Sequence, residues 1–360
     1  MGSQFGFAEA LVNPNAGKNR RLDAIDRLVD WAALERFLPG SRPASSPGRR
    51  GYPALPMLKA ILLAQWYQLS DPALEEALSD RLSFRRFCGF ALDDPTPDET
   101  TLCRFRNELA ENGVGEKLMA ELDRQLGARR LIVKDGTMID ATLIEAQAAR
   151  PKDKKKEEHT VDDAPAEPAA TATMQSGEGN GTTLSSAGGG AVPTKPERGV
   201  RPAFDRDARF ARKGGKSFYG YKAHVAVDSG SGLIRRACMT PANVHDTVPA
   251  DALVMGDERA VYADKAYSTH VRRAGLQARG IKDRIMHRAN KHQPELPRLQ
   301  KKRNDLIART RARVERTFAI WKGAYGYRRV RYFTLVANAF ELQMKCLAFN
   351  LRRFVVLTAS

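Results

Sequence analysis

Three acidic residues occupy positions where a carboxylate is unexpected unless it has a chemical role. Asp140 interrupts the otherwise apolar or hydroxyl-bearing run MIDATLI, where an unpaired charge would be costly to bury. Asp264 directly follows the short apolar stretch AVYA, and open α/β sheets place ligand-binding groups at such strand ends. Glu315 is one of only two acids between Pro297 and Trp321, a stretch that contains eight Lys and Arg residues.

The helical face around Glu315 combines that carboxylate with two cations. At 100° per residue, Arg311, Glu315 and Lys322 fall within about 40° of one another. Two or three carboxylates, with water and phosphate oxygens, form sites for Mg²⁺, and Mn²⁺ substitutes for it. Two such ions activate an attacking hydroxyl and stabilise the leaving oxygen in an in-line phosphoryl transfer. The three acids are therefore candidate ligands of a two-metal site, with both cations beside phosphate.

Each acid also has a simpler structural interpretation. Asp140 could be a hydrogen-bonded core residue, and Asp264 could cap the turn that follows it. Glu315 could be the i+4 ion-pair partner of Arg311. Taken one at a time, these three acids are weak signals.

The stretch NVHD contains a further candidate pair, His245 and Asp246. The pair could form a zinc or general-base site, but no other His/Cys cluster lies nearby in the sequence. Helix capping by Asn243 or Asp246 is the simpler interpretation, with His245 as a packed residue. Alternatively, His245 and Asp246 support the side chains that would bind the metal.

Basic residues are concentrated in one part of the chain. The 360 residues carry a formal net charge of +17. Between His270 and Arg331, 19 Lys and Arg residues stand against four acids, a local net charge of +15 over 62 residues. This concentration favours a polyanion such as nucleic acid, because each neutralised phosphate releases condensed counterions. A solvated helix face, or contact with other anions, is the alternative.

Composition disfavours several other classes of protein. The four cysteines are far apart and form no CxxC pair, which argues against zinc fingers, iron–sulfur clusters and disulfide scaffolds. No run approaches the roughly 20 apolar residues of a membrane span, and the first residues lack the layout of a signal peptide. We expect a soluble, cytoplasmic protein without a membrane partner.

Apolar spacing predicts several helices in the first third of the chain. It indicates helices over residues 24–38 and 55–69, one that begins at Ser70-Asp71-Pro72, and one from Glu99 to about Leu109. The last helix presents polar residues suited to DNA contacts, namely Thr100, Thr101, Arg104, Arg106 and Asn107. Short helices with a tight connection are typical of a helix-turn-helix DNA reader, although any small helical bundle shows the same pattern.

From Leu131 onward the apolar period changes from 3.6 to 2, which indicates strands. LIVKDGTMIDATLI predicts two short strands around the turn dipeptide Asp135-Gly136. Further along, the pattern predicts an antiparallel hairpin over 217–228 and 233–240, a helix over 246–254, a strand over 260–264, a helix over 269–278, a strand over 281–286, and helices over 297–321 and 335–356. This order of elements predicts a mixed α/β domain.

Residues 151–200 differ in composition from the segments on either side. They contain no Phe, Trp or Tyr and include the biased runs KDKKKEEH, APAEPAA and SSAGGGAVP. Such a segment buries too little apolar surface to offset its ordering entropy. We predict a disordered insert within the α/β domain.

Several segments together resemble the DDE transposases of bacterial insertion sequences, specifically the insertion-sequence-five group. They occur in the order PTPDETTLCRFRNEL, VKDGTMIDATLIEA, KGGKSFYGYKAHVAVD, MTPANVHD, VYADKAYS and RARVERTFAIWKGAYGYRRVRY. The match runs over roughly residues 50–355 and leaves out 151–200. This ordered match is far more specific than any single acid.

The resemblance implies a ribonuclease-H-like α/β fold, a mixed sheet flanked by helices. We assign this catalytic domain to residues 128–150 plus 201–356, interrupted by the 151–200 insert. It is preceded by an all-α, helix-turn-helix-like domain that binds DNA ends, over residues 1–127.

The resemblance also implies that the catalytic, metal-binding acids are Asp140, Asp264 and Glu315. The family signature around the Glu is Tyr, two residues, Arg, three residues, Glu, six residues, Lys. Arg311, Glu315 and Lys322 match it, whereas Ala308 stands at the Tyr position.

The implied partners are double-stranded DNA and a second copy of the chain. The DNA comprises the terminal inverted repeats and the target, and a homodimer would hold both ends in the bacterial nucleoid. The residues that we expect to contact DNA are Arg104, Arg106, Lys222, Arg311, Arg313, Arg316 and Lys322.

The leading hypothesis is an active transposase that cuts and joins DNA. A DNA-binding protein that occupies transposon ends without cutting is one alternative. A metal nuclease of the same fold that acts only by hydrolysis is another. The presence of all three acids favours an enzyme, and strand transfer separates a transposase from a nuclease.

Overall fold

A six-stranded mixed sheet with helices packed on it organises this chain in the computed structural model. The structure describes residues 17–40, 51–147, 204–289 and 294–359, and the predicted insert at 151–200 lies outside these ranges. The described strands are β1 (Thr137–Glu145), β2 (Arg209–Lys213), β3 (Lys216–Asp228), β4 (Ile234–Pro241), β5 (Ala260–Ala263) and β6 (Lys282–Ile285). The predicted fold class, α/β with a mixed sheet flanked by helices and preceded by a helical region, is confirmed.

Helices precede the sheet and also lie between and after its last strands. They are α1 (Arg20–Leu28), α2 (Trp31–Glu35), α3 (Ala54–Tyr67), α4 (Asp71–Asp80), α5 (Leu82–Cys88), α6 (Glu99–Glu111), α7 (Val114–Ala128), α8 (His270–Ala278), α9 (Arg298–Lys322) and α10 (Leu335–Thr358). The predicted starts are correct because side chains cap them: Ser70 accepts a hydrogen bond from the Ala73 amide, and Asp98 accepts one from Thr101.

The sheet combines an antiparallel half and a parallel half. β3 pairs antiparallel with β1 along one edge and with β2 and then β4 along the other. β1 continues into parallel pairing with β5, and β5 pairs in parallel with β6. The hairpin predicted over 217–228 and 233–240 is confirmed as β3–β4.

Three local predictions were wrong. Residues 24–38 form two helices because Asp30 turns the chain, its side chain accepting a hydrogen bond from the Ala33 amide. Asp135-Gly136 does not join two strands, since the Asp228 carboxylate accepts from the amides of Val133 and Lys134 and holds the chain before β1. The helix predicted over 246–254 is only a short 3₁₀ turn at Asp251–Leu253.

Helix α10 lies at the centre of the packing. It contacts β4 as well as the N-terminal helices α1, α3, α6 and α7. One hydrophobic core joins these helices to one face of the sheet, and a smaller core covers the other face beside α8. The predicted domain boundary between residues 127 and 128 stays a prediction. Helices α7 and α10 each contact elements that precede this boundary and elements that follow it. No helix in the described part of the chain combines the length and apolarity needed to cross a bilayer.

Asn350 on α10 provides a test of this packing. Its buried side chain donates to the carbonyl of Ile234 at 2.6 Å and accepts from the amide of the same residue at 2.9 Å. We expect Asn350→Leu to lower the free energy of unfolding by about 2–4 kcal/mol, because it leaves two buried backbone groups unpaired. Urea denaturation measures this change. The exposed Asn107→Leu serves as the control, and an equal loss in both variants would contradict the assignment.

Candidate active site

Strand pairing brings the two candidate aspartates into line. β1 and β5 pair in parallel with Thr137 opposite Val261 and Met138 opposite Tyr262. The same offset continued along both strands aligns Asp140 with Asp264, on neighbouring strands about 5 Å apart. Asp264 follows the last residue of β5, and its carboxylate accepts from the Lys265 amide at 2.7 Å. It therefore caps a short 3₁₀ turn, in line with the simpler structural interpretation, and it lies near enough to Asp140 to raise the pKa of that residue.

Asp140 is a largely buried carboxylate in the middle of β1. Its Oδ1 accepts from the Ala141 amide at 2.9 Å, and its side chain is 23% exposed. Burial raises the pKa of Asp140, and the carboxylates of Asp264 and Asp246 raise it further, while Arg311 opposes them. The site thus gathers negative charge that needs a cation to compensate it.

Helix α9 supplies that cation. The helix packs on β1 and β5, and its apolar face enters the core through Val314, Phe318 and Trp321. Arg311 points from the same helix to Asp140, with Nη2 3.0 Å from Oδ2. The Nε of Arg311 is buried and has no hydrogen-bond partner among the described residues. The ion pair of Arg311 is thus with Asp140 rather than with Glu315.

A second ion pair borders the aspartates. Lys222 on β3 lies 2.9 Å from Oδ1 of Asp246 and donates to the carbonyl of Val244 at 2.7 Å. Asp246 therefore does not cap a helix, because no helix follows it; it lies close enough to raise the pKa of Asp140. The neighbouring His245 is exposed, with Nδ1 2.7 Å from the Thr247 hydroxyl.

Tyr267 is a site residue that the sequence analysis missed. Its ring lies in the core beside α8, and its buried hydroxyl has no hydrogen-bond partner among the described residues. Burial raises its pKa, and the nearby carboxylates of Asp246 and Asp140 reinforce the shift. The available signal was its place three residues after Asp264, where a 3₁₀ turn brings position i+3 back toward the strand end.

Glu315 stands apart from the two aspartates. It is exposed on α9, one helical turn beyond Arg311, and Ala308 is exposed one turn before. Within the described ranges, no three acidic, His or Cys side chains lie close enough together to hold an ion. Asp140 and Asp264 nevertheless fit a divalent cation chemically, because they are oxygen ligands that already require positive charge.

The predicted DNA contacts are in different environments. Arg104, Arg313 and Arg316 are exposed, and Arg313 donates to the Ser229 carbonyl at 2.8 Å. Lys322 is half-buried, and its pKa is lowered by burial and then by Lys213 and Arg328. Arg106 is buried, donates to both carboxylate oxygens of Asp71 and lies over the Tyr332 ring. That environment gives Arg106 a packing role, so we leave it out of the proposed interface.

Three tyrosines near these basic residues are core residues. Tyr221, Tyr325 and Tyr327 are at most 1% exposed, so their rings are not available to stack on DNA bases.

The sheet order and the acids at its parallel strands define a ribonuclease-H-like fold. Residues 127–351 match the family model described as Transposase DDE domain, and residues 10–108 match Transposase domain (DUF772). Because the first match covers more than half of the chain, the protein belongs to the DDE transposase family. The family consists of DNA-cleaving and strand-transferring enzymes that depend on divalent metal. No solved structure matches the chain.

Loss of the Arg311 guanidinium tests its role as counter-charge. We expect Arg311→Gln to lower metal-free stability by about 1–3 kcal/mol, because it leaves the Asp140 charge without its partner. Added Mg²⁺ should then raise the melting temperature more in this variant than in wild type, since no guanidinium competes for the carboxylate. Thermal denaturation with and without Mg²⁺ measures both effects. Arg316→Gln, an exposed change on the same helix, is the control; identical melting of the two variants would contradict this role.

Two buried tyrosines make a matched pair. The Tyr221 hydroxyl donates to Asp205 at 2.7 Å inside the core, whereas the Tyr267 hydroxyl has no described partner. We expect Tyr221→Phe to reduce stability by about 1–3 kcal/mol and Tyr267→Phe by less than about 0.5 kcal/mol. Chemical denaturation measures both. A large loss in Tyr267→Phe would reveal a hydrogen bond to its hydroxyl in solution.

Proposed function

We propose that this transposase binds the terminal inverted repeats of an insertion sequence and moves the element by cut-and-paste transposition. Its resemblance to the insertion-sequence-five group supports this substrate. The observation that carries the proposal is the alignment of Asp140 with Asp264 on adjacent parallel strands, facing Arg311 from a basic helix. Such a site suits phosphodiester chemistry, because it combines metal-binding oxygens with phosphate-binding cations.

Asp140, Asp264 and Glu315 would hold the divalent cations, Mg²⁺ or Mn²⁺, in a two-ion site. When bound, the cations supply Lewis-acid activation of the attacking oxygen and stabilisation of the leaving oxygen. The chain itself supplies orientation and charge. Asp246 and Lys222 hold each other in place beside the aspartates, and His245 supports the loop that carries Asp246.

Arg311 and Lys322 would position the phosphate. Once a cation has replaced Arg311 as the partner of Asp140, the guanidinium of Arg311 would be free to donate two parallel hydrogen bonds to phosphate oxygens. Lys322 shares that helical face and is already partly desolvated. Burial strengthens the attraction of both cations to an incoming phosphate.

The reaction has two phosphoryl transfers. First, a water oxygen bonds to phosphorus at the element end, the bond from phosphorus to the 3′ oxygen breaks, and that oxygen leaves as a 3′ hydroxyl. Next, the 3′ hydroxyl attacks a target phosphodiester and displaces the target's own 3′ oxygen. In this second step one phosphodiester bond forms as one breaks, so strand transfer needs no external energy source.

DNA recognition would be shared between two regions. The N-terminal helices, with Arg104 exposed on α6, would read the repeat. Within the basic segment of residues 270–331, helix α9 would contact the backbone through Arg313 and Arg316. A homodimer would hold both ends of the element together.

Neutralising the acids tests the catalytic assignment. We expect Asp140→Asn, Asp264→Asn and Glu315→Gln each to reduce cleavage of a labelled element end by about 10³-fold or more, because each removes a metal-binding charge. Binding of the same DNA should persist. Gel-resolved cleavage and strand-transfer products, with Mg²⁺, measure the effect.

The matched control is Asp305→Asn, which removes the other acid of α9 and should retain activity. Full cleavage by any of the three variants would exclude that residue from the site. Wild-type protein that binds ends without cutting would support the binding-only alternative, and cutting without joined product would support the hydrolytic nuclease.

A further inference from the structure

The β2–β3 turn forms a basic hairpin, residues 209–219, at one edge of the sheet. Lys213 pairs with Lys216 across a two-residue turn, and its glycines, Gly214 and Gly215, have φ of +57° and +75°. Positive φ at both positions is the geometry of a tight type I′ turn. No atom lies within 4 Å of where a Cβ on either glycine would be, so the tip is surrounded by open space.

Like charges lie opposite each other on the basic hairpin, which is unfavourable when no anion is bound. Lys213 and Lys216 are directly opposite each other, and like charges in that register destabilise a strand pair. Arg212 is next to them, all three are exposed, and none forms an ion pair among the described residues. An external anion removes this repulsion.

An exposed aromatic residue lies on the same hairpin. Phe210 is 48% exposed and packs on Tyr219 with ring centroids 4.9 Å apart. Phe210 and Arg212 share one face of β2, since successive side chains alternate. The surface is therefore a narrow ribbon with cations at its tip and an aromatic ring behind them.

The basic hairpin lies close to helix α9, which carries Arg311 and Glu315. Lys213 is close enough to Lys322 to lower its pKa, after the larger effect of burial, and Arg328 adds to the shift. Lys322 lies about 10 Å along α9 from Glu315. That span corresponds to about three nucleotides of a DNA strand. A two-stranded ribbon has the dimensions to enter the major groove of duplex DNA.

We propose that the basic hairpin binds duplex DNA a few base pairs from the scissile phosphate, with its tip in the major groove and Arg212, Lys213 and Lys216 at phosphates. This inference rests on the proposed function, because it assumes that DNA lies along α9. It adds a binding surface at the sheet edge to the contacts made by α9 and the N-terminal helices.

The test measures binding of a labelled duplex carrying the element end, by fluorescence anisotropy in EDTA, where cleavage does not occur. The triple variant Arg212→Gln, Lys213→Gln, Lys216→Gln should bind at least 10-fold more weakly near 0.1 M salt. Its slope of log affinity against log salt should fall by about 2–3, because each lost phosphate contact removes about one from the slope.

The control triple variant removes equal charge from the opposite sheet edge, through Arg279→Gln, Lys282→Gln and Arg284→Gln. Equal losses in both triples would overturn the proposal, since net charge alone would then explain them. The charge-conserving triple Arg212→Lys, Lys213→Arg, Lys216→Arg should restore binding, and its failure to do so while remaining folded would also overturn the phosphate assignment.

Two further measurements distinguish failure of this inference from failure of the proposed function and test entry into the groove. On a duplex RNA of the same sequence, whose major groove is too narrow for a ribbon, the hairpin triple should lose less than on DNA; an equal loss would overturn groove entry. Wild-type protein that fails to bind the DNA duplex at all would reject the proposed function itself. Wild-type binding with an unaffected hairpin triple would reject only this inference.

Discussion

Helix α10 is buried along most of its length, and several of its buried polar side chains bond to other elements. Asn350 bonds to the backbone of β4, and Lys345 donates to Gln65 of α3 at 2.9 Å. Glu341 accepts from the amide of Arg331, just before the helix. Burial lowers the pKa of Lys345 to about 8, with Glu341 opposing that effect. Because an unpaired buried polar group is costly, these bonds fix the positions of the helical region and the sheet on one common helix.

The geometry of the candidate site follows from that constraint. α10 fixes β4, β4 pairs with β3, and β3 pairs with β1 along nine residues, from Thr137 to Glu145. β1 in turn sets the position of β5 through a short parallel pairing. Asp140 is thus carried by a strand that pairs with β3 along its whole length, while Asp264 directly follows a four-residue strand. The first carboxylate is held by the sheet, whereas the second depends on the cap that it forms with Lys265.

Local signals in the sequence predicted most elements, and tertiary contacts explain the failures. Helix starts at Ser70 and Asp98, and the short apolar run AVYA, marked elements correctly because those signals act within a few residues. The turn expected at Asp135-Gly136 failed because Asp228, about 90 residues away in sequence, binds the amides before β1. The position of Asp264 at a strand end was predictable, and so was the helical face of Arg311. The pairing of Arg311 with Asp140 was not predictable, because it forms only when α9 packs on the sheet. The placement of the Tyr267 hydroxyl near the aspartates was not predictable either, because it depends on the packing of the second core.

The pairing of Arg311 with Asp140 suggests how one site can serve both metal and DNA. Without a metal, burial and the neighbouring carboxylate of Asp264 raise the pKa of Asp140, and the guanidinium of Arg311 opposes that shift. In the proposed two-ion site, a divalent cation would provide the same compensation with twice the charge, and Asp140 would no longer need Arg311 as its partner. The guanidinium of Arg311, on the helix that also carries Glu315 and Lys322, would then be available to a phosphate. On this proposal, the charge exchange that completes the metal site would also free the phosphate-binding cation, which would couple catalytic assembly to the arrival of DNA.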